Sequence, residues 1–299
     1  MRAQKTNRRI RENKNMLVNL KEILEIAERE NCAIGMFNAT GLDSLQAVIA
    51  AAEELNTPVI IAHAEVHNVY NDISLVGPAM VAAAEAAKVP VCVHLDHGTS
   101  LEMIYKALRL GFTSVMIDAS ALPYEENLKL TKDVAEIAHA MGVSVEAELG
   151  RLVTGEAGSK EEANADMKPE DFYTDPEEAK EFCRLTGVDA LAIAFGTAHG
   201  FYTAQPKLDF EVVKRVKEAT GLPLVMHGGS GVSDEGFKAA IEGGIRKINY
   251  YSYMSKAGYM AAKDVIESGK TNYLHDVEFA AMAAMKEDVK RAITVFNNK

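Results

Sequence analysis

Cysteine is scarce in this 299-residue chain, which contains only Cys32, Cys92 and Cys183. An odd, sparse set of thiols argues against a disulfide framework, and the lack of a C-x-x-C pair argues against a cysteine zinc site. All three cysteines stand in apolar runs, which predicts buried thiols. The chain also lacks any run of 18 apolar residues, so we expect no transmembrane helix and no membrane partner.

Positive charge is the minority sign, with 32 basic against 43 acidic residues and a net charge of −11. This balance argues against nucleic acid as a main partner, although an anionic small substrate needs only a local positive site. Residues 1–15 are the exception, with six basic residues and one acidic residue. They lack the apolar core of a signal peptide. We therefore expect a basic flexible tail at 1–15, a single folded unit at 16–299 and a cytoplasmic location.

Short apolar runs alternate with stretches of helical period along residues 16–299. Strands are predicted near 32–37, 58–63, 90–95, 113–118, 143–149, 189–195, 222–227 and 245–250. Eight such units predict an α/β chain folded as a (β/α)8 TIM barrel, with extra C-terminal helices near 252–268 and 274–296. A doubly wound open sheet is the alternative, but it usually has a glycine-rich turn after its first strand, and residues 37–40 read F-N-A-T.

Polar residues collect at the carboxyl ends of the predicted strands, the face that carries barrel active sites. His97, His199 and His227 each follow a different strand. Three protein ligands that leave one position open are typical of catalytic zinc, so these histidines predict a metal site at the barrel mouth. Glu146 and Glu148 are two residues apart on one strand and therefore share a face. His63 and His67, at the end of the second predicted strand, could either touch substrate or cap a loop.

Two loops suggest ligand binding. Residues 228–231 read G-G-S-G and are predicted to open a helix, where backbone N–H groups could hold a phosphate. Residues 150–173 show neither strand nor clear helical period, which is typical of a lid or binding loop.

At these positions the sequence resembles the class II, zinc-dependent ketose-bisphosphate aldolases, over about 16–299. The matching blocks are A-I-G-M-F-N (33–38), P-V-C-V-H-L-D-H-G (90–98), S-V-M-I-D-A-S (114–120), S-V-E-A-E-L-G (144–150), G-V-D-A-L-A-I-A-F-G-T-A-H-G (187–200), L-P-L-V-M-H-G-G-S-G (222–231) and K-I-N (247–249). The resemblance implies reversible cleavage of a ketose phosphate to dihydroxyacetone phosphate and an aldehyde. Zinc would stabilise the enediolate charge as a Lewis acid, and two carboxyl groups would handle the two protons.

The resemblance also implies roles for individual residues. His97, His199 and His227 correspond to zinc ligands, and Glu148 and Asp118 to a secondary metal-binding position. Asp96 corresponds to the acid/base at the aldehyde oxygen and Glu156 to the carboxylate that removes the carbon-bound proton. The substrate-binding positions are Asn38, Gly200, Gly228, Gly229, Ser230, Asn249 and Ser252. A monovalent cation near the phosphate and a homodimer or homotetramer complete what the resemblance implies.

Two departures from the family pattern concern specificity. Ala64 stands where familiar members have Ser or Thr. After Asn249 the family usually has two small or acidic residues and then Thr, whereas this chain has Tyr250, Tyr251, Ser252 and Tyr253. They predict a ketose 1-phosphate or an unusual bisphosphate rather than fructose 1,6-bisphosphate. A metal-dependent barrel hydrolase and a non-catalytic sugar-phosphate-binding relative are the alternative functions.

Overall fold

Nine parallel strands form the centre of the fold in a computed structural model that describes residues 16–150, 173–200 and 206–298. The strands are β1 (Leu17–Val18), β2 (Ile34–Asn38), β3 (Val59–Ala64), β4 (Val91–Gly98), β5 (Ser114–Ile117), β6 (Ser144–Leu149), β7 (Ala190–Ile193), β8 (Leu224–Met226) and β9 (Ile245–Asn249). Strands β2 to β9 pair in order, and the β2–β9 and β4–β5 pairings close the ring. The predicted (β/α)8 TIM barrel is confirmed.

Helices follow the strands, and those after the first cover the outside of the barrel. They are α1 (Leu20–Glu30), α2 (Leu42–Leu55), α3 (Ile73–Ala86), α4 (Leu101–Arg109), α5 (Tyr124–Ala140), α6 (Pro176–Thr186), α7 (Phe210–Thr220), α8 (Asp234–Gly243), α9 (Ser252–Ser268) and α10 (Leu274–Phe296), with a 3-10 helix at Glu65–Val69. Several begin where a polar side chain accepts a hydrogen bond from the first turn, as Ser100 does before α4 and Asp175 before α6. The extra C-terminal helices are α9 and α10, as predicted.

The strand β1 and helix α1 were not predicted. Asn19 and Glu22 form a capping box at the start of α1. Its buried residues Leu20, Ile23, Leu24 and Ala27 follow the spacing of one helical face. They join the inward-facing side chains of the strands in one apolar cluster, so α1 closes the amino-terminal end of the barrel.

A second, larger apolar cluster fills the space between the strands and the outer helices. All three cysteines are buried with free thiols, as predicted. Across the described residues, no helix combines the length and the hydropathy needed to cross a membrane. Residues 1–15, where the basic tail was predicted, and 151–172, which hold most of the predicted binding loop, lie outside the described residues.

Candidate active site

His97 reaches the barrel mouth through an irregularity in β4. Strand alternation turns Asp96 toward the interior and would turn His97 toward the outer helices. Between Leu95 and Gly98, however, the β4–β5 register shifts, and His97 has a φ of 43°. A bulge of this kind re-aims a side chain, and the left-handed backbone of a non-glycine residue costs roughly 1–2 kcal/mol. As a result, two consecutive polar side chains, Asp96 and His97, lie at one site despite the backbone strain.

The three predicted histidine ligands lie together. The His97 ring centroid is 4.5 Å from that of His227 and 5.0 Å from that of His199. One ring nitrogen from each histidine can be chosen so that all lie within 4.8 Å of one another. Burial and the two neighbouring histidines hold the pKa of His199 well below its usual value. A neutral imidazole is the form that ligates a metal.

Two carboxylates fix the orientation of two of these imidazoles. Asp118 Oδ2 is 2.7 Å from His97 Nδ1, and Glu146 Oε1 is 3.0 Å from His227 Nε2. A ring N–H donated to a carboxylate directs the lone pair to the other ring nitrogen, here Nε2 of His97 and Nδ1 of His227. Asp118 also belongs to a second group of possible metal ligands, with His97 and Glu148, whose donor atoms lie within 4.8 Å of one another.

Glu148 supplies a further oxygen beside the histidines. Its Oε2 is 3.1 Å from His227 Nδ1, yet neither atom has a hydrogen-bond partner of suitable geometry among the described residues. Burial and His97 oppose protonation of His227, but the interactions with Glu146 and Glu148 outweigh them and raise its pKa. Buried ligand atoms that face each other without a hydrogen bond fit a bound cation, so the residues present suit a metal ion.

Asp96 is held in the same interior by two amides. Asn38 Nδ2 donates to its Oδ2 at 2.9 Å, and Asn249 Nδ2 donates to its Oδ1 at 3.0 Å. Burial alone would raise the pKa of Asp96, but the charges of His97 and Lys247 lower it below its usual range. The carboxylate form is therefore favoured at neutral pH.

Lys247 lies inside the site, although it was not among the predicted site residues. Its side chain is fully buried inside the barrel, where Nζ donates to Glu146 Oε1 at 3.0 Å and to Asn249 Oδ1 at 2.8 Å. Although burial opposes ionisation of Glu146, Lys247 and the hydrogen bond from His227 lower its pKa to about 2. Lys247 thus links the carboxylate behind His227 to the amide that holds Asp96. Its alternation with Asn249 along β9 was the signal that placed both on the inner face.

Removing this lysine should destabilise the fold strongly. In Lys247→Met the carboxylate of Glu146 loses its cation in a water-free interior, and breaking a buried pair in this way costs about 3–5 kcal/mol. Urea denaturation should show that loss, whereas Lys263→Met, on the exposed face of α9, should change stability by less than about 0.5 kcal/mol. Equal unfolding midpoints for the two variants would contradict the assigned ion pair.

The predicted substrate-binding residues line one cleft above the histidines. They are Asn38, Gly200, Gly228, Gly229, Ser230, Asn249 and Ser252. At Gly228, which has a φ of 65°, an added Cβ would lie 2.2 Å from the Ala198 carbonyl oxygen, so only glycine fits.

The phosphate loop differs from the prediction in one respect. Residues 228–231 do not open a helix, because α8 begins at Asp234 after the cap Ser233. The helix start at this cleft belongs instead to α9, where Ser252 lines the cleft and Tyr251 makes no side-chain cap. The backbone N–H of Tyr251 donates to Ser230 Oγ at 3.1 Å, which joins the glycine loop to α9.

The tyrosines after Asn249 separate into different environments. Tyr251 lines the cleft. Tyr250 also lines the cleft, but its side chain is buried and its hydroxyl accepts a hydrogen bond from Arg291 at 2.9 Å. Tyr253 packs against the apolar core and is not among the described residues that line the cleft. The specificity argument therefore depends on Tyr251.

The sequence left open whether His63 and His67 touch substrate or cap a loop, and the structure places the two residues differently. His67 lines the cleft, whereas His63 is buried and absent from the described lining. Glu156, predicted to remove the carbon-bound proton, lies outside the described residues.

Comparisons with known proteins agree with this fold. The family model for class II fructose-bisphosphate aldolase matches residues 18–299. A fructose-bisphosphate aldolase of Staphylococcus aureus is 40% identical over 286 residues, covering 94% of this chain and 97% of the relative. The chain belongs to the class II fructose-bisphosphate aldolase family.

Solved structures support the same assignment. The crystal structure of the YdjI aldolase from Escherichia coli K12 superposes with a TM-score of 0.82 and 37% identity, covering 94% of this chain and 97% of that one. A putative fructose-1,6-bisphosphate aldolase from Coccidioides immitis gives a TM-score of 0.84 and 31% identity, with coverage of 94% and 96%. This protein is therefore an aldolase, a lyase, of a generally metal-dependent family that acts on phosphorylated sugars.

Proposed function

We propose that this protein is a zinc-dependent aldolase that reversibly cleaves a ketose phosphate to dihydroxyacetone phosphate and an aldehyde. The observation that carries the proposal is the set of three histidine nitrogens within 4.8 Å, on strand ends next to the buried carboxylate of Asp96. A hydrolase has no comparable support, because the family match is to aldolases. A non-catalytic relative is disfavoured by the same match and by the intact histidine set.

The metal residues in this proposal are His97, His199 and His227, with Glu148 as a further ligand position. Zinc favours imidazole donors, and when bound it supplies Lewis-acid stabilisation of negative charge on the substrate oxygens. Asp118 is assigned to the metal site through its 2.7 Å contact with His97 Nδ1, which holds that imidazole in its ligating orientation. A monovalent cation near the phosphate is also part of the proposal.

Two carboxylates divide the proton transfers. Asp96 accepts the proton of the hydroxyl group on the carbon that becomes the aldehyde. Hydrogen bonds from the Asn38 and Asn249 amides hold the Asp96 carboxylate in position for this transfer. Glu156 is proposed to exchange the carbon-bound proton of dihydroxyacetone phosphate. Separate groups suit the reaction because, during cleavage, one proton is removed from a hydroxyl oxygen and another is delivered to a carbon of the three-carbon half.

The phosphate of the three-carbon half is proposed to bind at Gly200, Gly228 to Ser230, Asn249 and Ser252. The support is the glycine loop, whose backbone approaches closely, and the start of α9 beside it. Backbone N–H groups and the positive end of a helix dipole both favour an anion.

The other end of the substrate is proposed to carry no phosphate. Ala64 offers no hydroxyl there. Although the Tyr251 backbone adjoins the phosphate loop, its ring packs on His67 of the wall that follows β3, and an aromatic ring suits a sugar chain better than a second phosphate. We expect kcat/KM for a ketose 1-phosphate to exceed that for fructose 1,6-bisphosphate by about tenfold or more. Steady-state kinetics on matched mono- and bisphosphates measure the ratio, and a tenfold preference for the bisphosphate would contradict the role given to Tyr251.

We further propose a homodimer or homotetramer in the cytoplasm. The support for assembly is a group of apolar side chains on and between α9 and α10 that are 65–70% exposed, because patches of this kind often mark interfaces. They are Tyr259, Ile266, Tyr273, Leu274 and Phe279. Sedimentation equilibrium that finds only monomers would rule assembly out.

A further inference from the structure

The 3-10 helix Glu65–Val69 places a histidine on the cleft wall. His67 is 6% exposed and lines the cleft beside Ala64 and Val66. The turn is fixed at its start, because the Glu65 carboxylate accepts hydrogen bonds from the Thr99 N–H at 2.7 Å and from the Ser100 hydroxyl at 2.7 Å. A side chain on such a braced turn is held in a defined position.

The His67 ring packs against Tyr251 but has an unused polar atom. The two ring centroids are 4.8 Å apart, with an interplanar angle of 48°. His67 Nδ1 is buried and has no hydrogen-bond partner among the described residues. Burial also lowers the pKa of His67, so the imidazole is neutral and can both donate and accept a hydrogen bond. A buried polar group without a partner is costly, and on a cleft wall a ligand can supply that partner.

The position of His67 corresponds to the aldehyde half of the substrate. Ala64 at the end of β3 stands in register with Asp96 on β4, the group assigned to the aldehyde oxygen. His67 follows Ala64 by three residues, whereas the proposed phosphate loop follows β8. Ala64 itself provides only a methyl group, so His67 is the polar side chain available on this wall after β3.

We infer that His67, packed on Tyr251, hydrogen-bonds a hydroxyl group of an unphosphorylated polyhydroxy aldehyde and so selects the aldehyde half of the substrate. The inference rests on the proposed aldolase function and adds a residue that reads substrate hydroxyls. A neutral imidazole matches an uncharged hydroxyl, which accepts and donates in the same way. His67 is thus assigned to specificity rather than to bond cleavage.

The test uses His67→Phe, which keeps an aromatic ring against Tyr251 and removes both ring nitrogens. Condensation of dihydroxyacetone phosphate with erythrose, a hydroxylated aldehyde, is compared with condensation with propionaldehyde, which has no hydroxyl. We expect kcat/KM for erythrose to fall about tenfold or more and that for propionaldehyde to stay within about threefold. His67→Gln should recover part of the erythrose activity, and His275→Phe, at an exposed site on α10, should change neither reaction.

Solvent exchange of the carbon-bound proton of dihydroxyacetone phosphate provides a separate readout, because it involves no aldehyde. Exchange should be unchanged in His67→Phe. An equal loss with both aldehydes, or no loss with erythrose, would overturn the role of His67 while leaving the aldolase proposal in place. If the unaltered protein shows neither exchange nor condensation, the proposed function itself fails, and the inference with it.

Discussion

His227→Ala is expected to lose the metal and nearly all cleavage activity. His227 is buried between Glu146 and Glu148, and its Nδ1 faces the other ligand positions. Its removal leaves two imidazoles and a widened cavity, a poor site for zinc. Since a Lewis acid contributes several kcal/mol to the stabilisation of charge in the transition state, activity should fall by roughly 10³-fold or more.

Metal analysis of the purified protein checks this expectation directly. The unaltered chain should contain about one zinc per chain, and the His227→Ala variant almost none. His275→Ala, a change of the same kind on an exposed part of α10, should keep the metal and the activity. Full metal retention in the alanine variants of His97, His199 and His227 alike would show that the ion binds elsewhere.

The second large effect separates the two carboxylates. Asp96→Asn keeps the size of the side chain but removes the base that faces the aldehyde oxygen, so cleavage should fall by about 10²- to 10⁴-fold. Exchange of the carbon-bound proton does not need that base and should be retained to a greater extent. Glu156→Ala should abolish exchange as well as cleavage, because Glu156 is assigned to the proton that is exchanged.

Both reactions can be followed on the same preparations, with exchange measured by NMR in deuterated water and cleavage by release of dihydroxyacetone phosphate. Asp133→Asn, on the exposed side of α5, serves as the matched control and should match the unaltered protein in both. Parallel loss of exchange and cleavage in Asp96→Asn and Glu156→Ala would show that the two residues do not divide the work.

The barrel could be predicted because its signals are periodic. Eight apolar runs separated by helical stretches admit few arrangements, and the carboxyl ends of parallel strands must meet on one face. This is why His97, His199 and His227, far apart in sequence, could be expected to converge. The cluster of predicted substrate-binding residues around one cleft has the same origin.

Other features also have a signal in the sequence. Leu20, Ile23, Leu24 and Ala27 have the spacing of an amphipathic helix, so α1 could have been predicted. Lys247 alternates with Asn249 on a strand buried on both faces. That alternation indicates a lysine inside the barrel, paired with a carboxylate.

The remaining features depend on three-dimensional detail. The bulge that turns His97 toward the cleft requires a left-handed backbone at this histidine. Such a conformation is uncommon for residues other than glycine and cannot be predicted from the residue type. The gap between the 228–231 loop and α8 arises because Ser233, rather than a glycine, caps the helix. His67 follows β3 and Tyr251 follows β9, so their packing joins two loops that are far apart in the sequence. No local sequence pattern predicts such a contact.

The central claim, metal-dependent cleavage of a ketose phosphate, is tested most directly by a chelator experiment. A panel of ketose 1-phosphates and bisphosphates is incubated with the protein as purified, after chelation and after zinc is restored, and release of dihydroxyacetone phosphate is measured. The account predicts release from at least one ketose 1-phosphate, its loss on chelation and its return with zinc. Release that persists after the metal has been removed, or no release from any member of the panel, would contradict it.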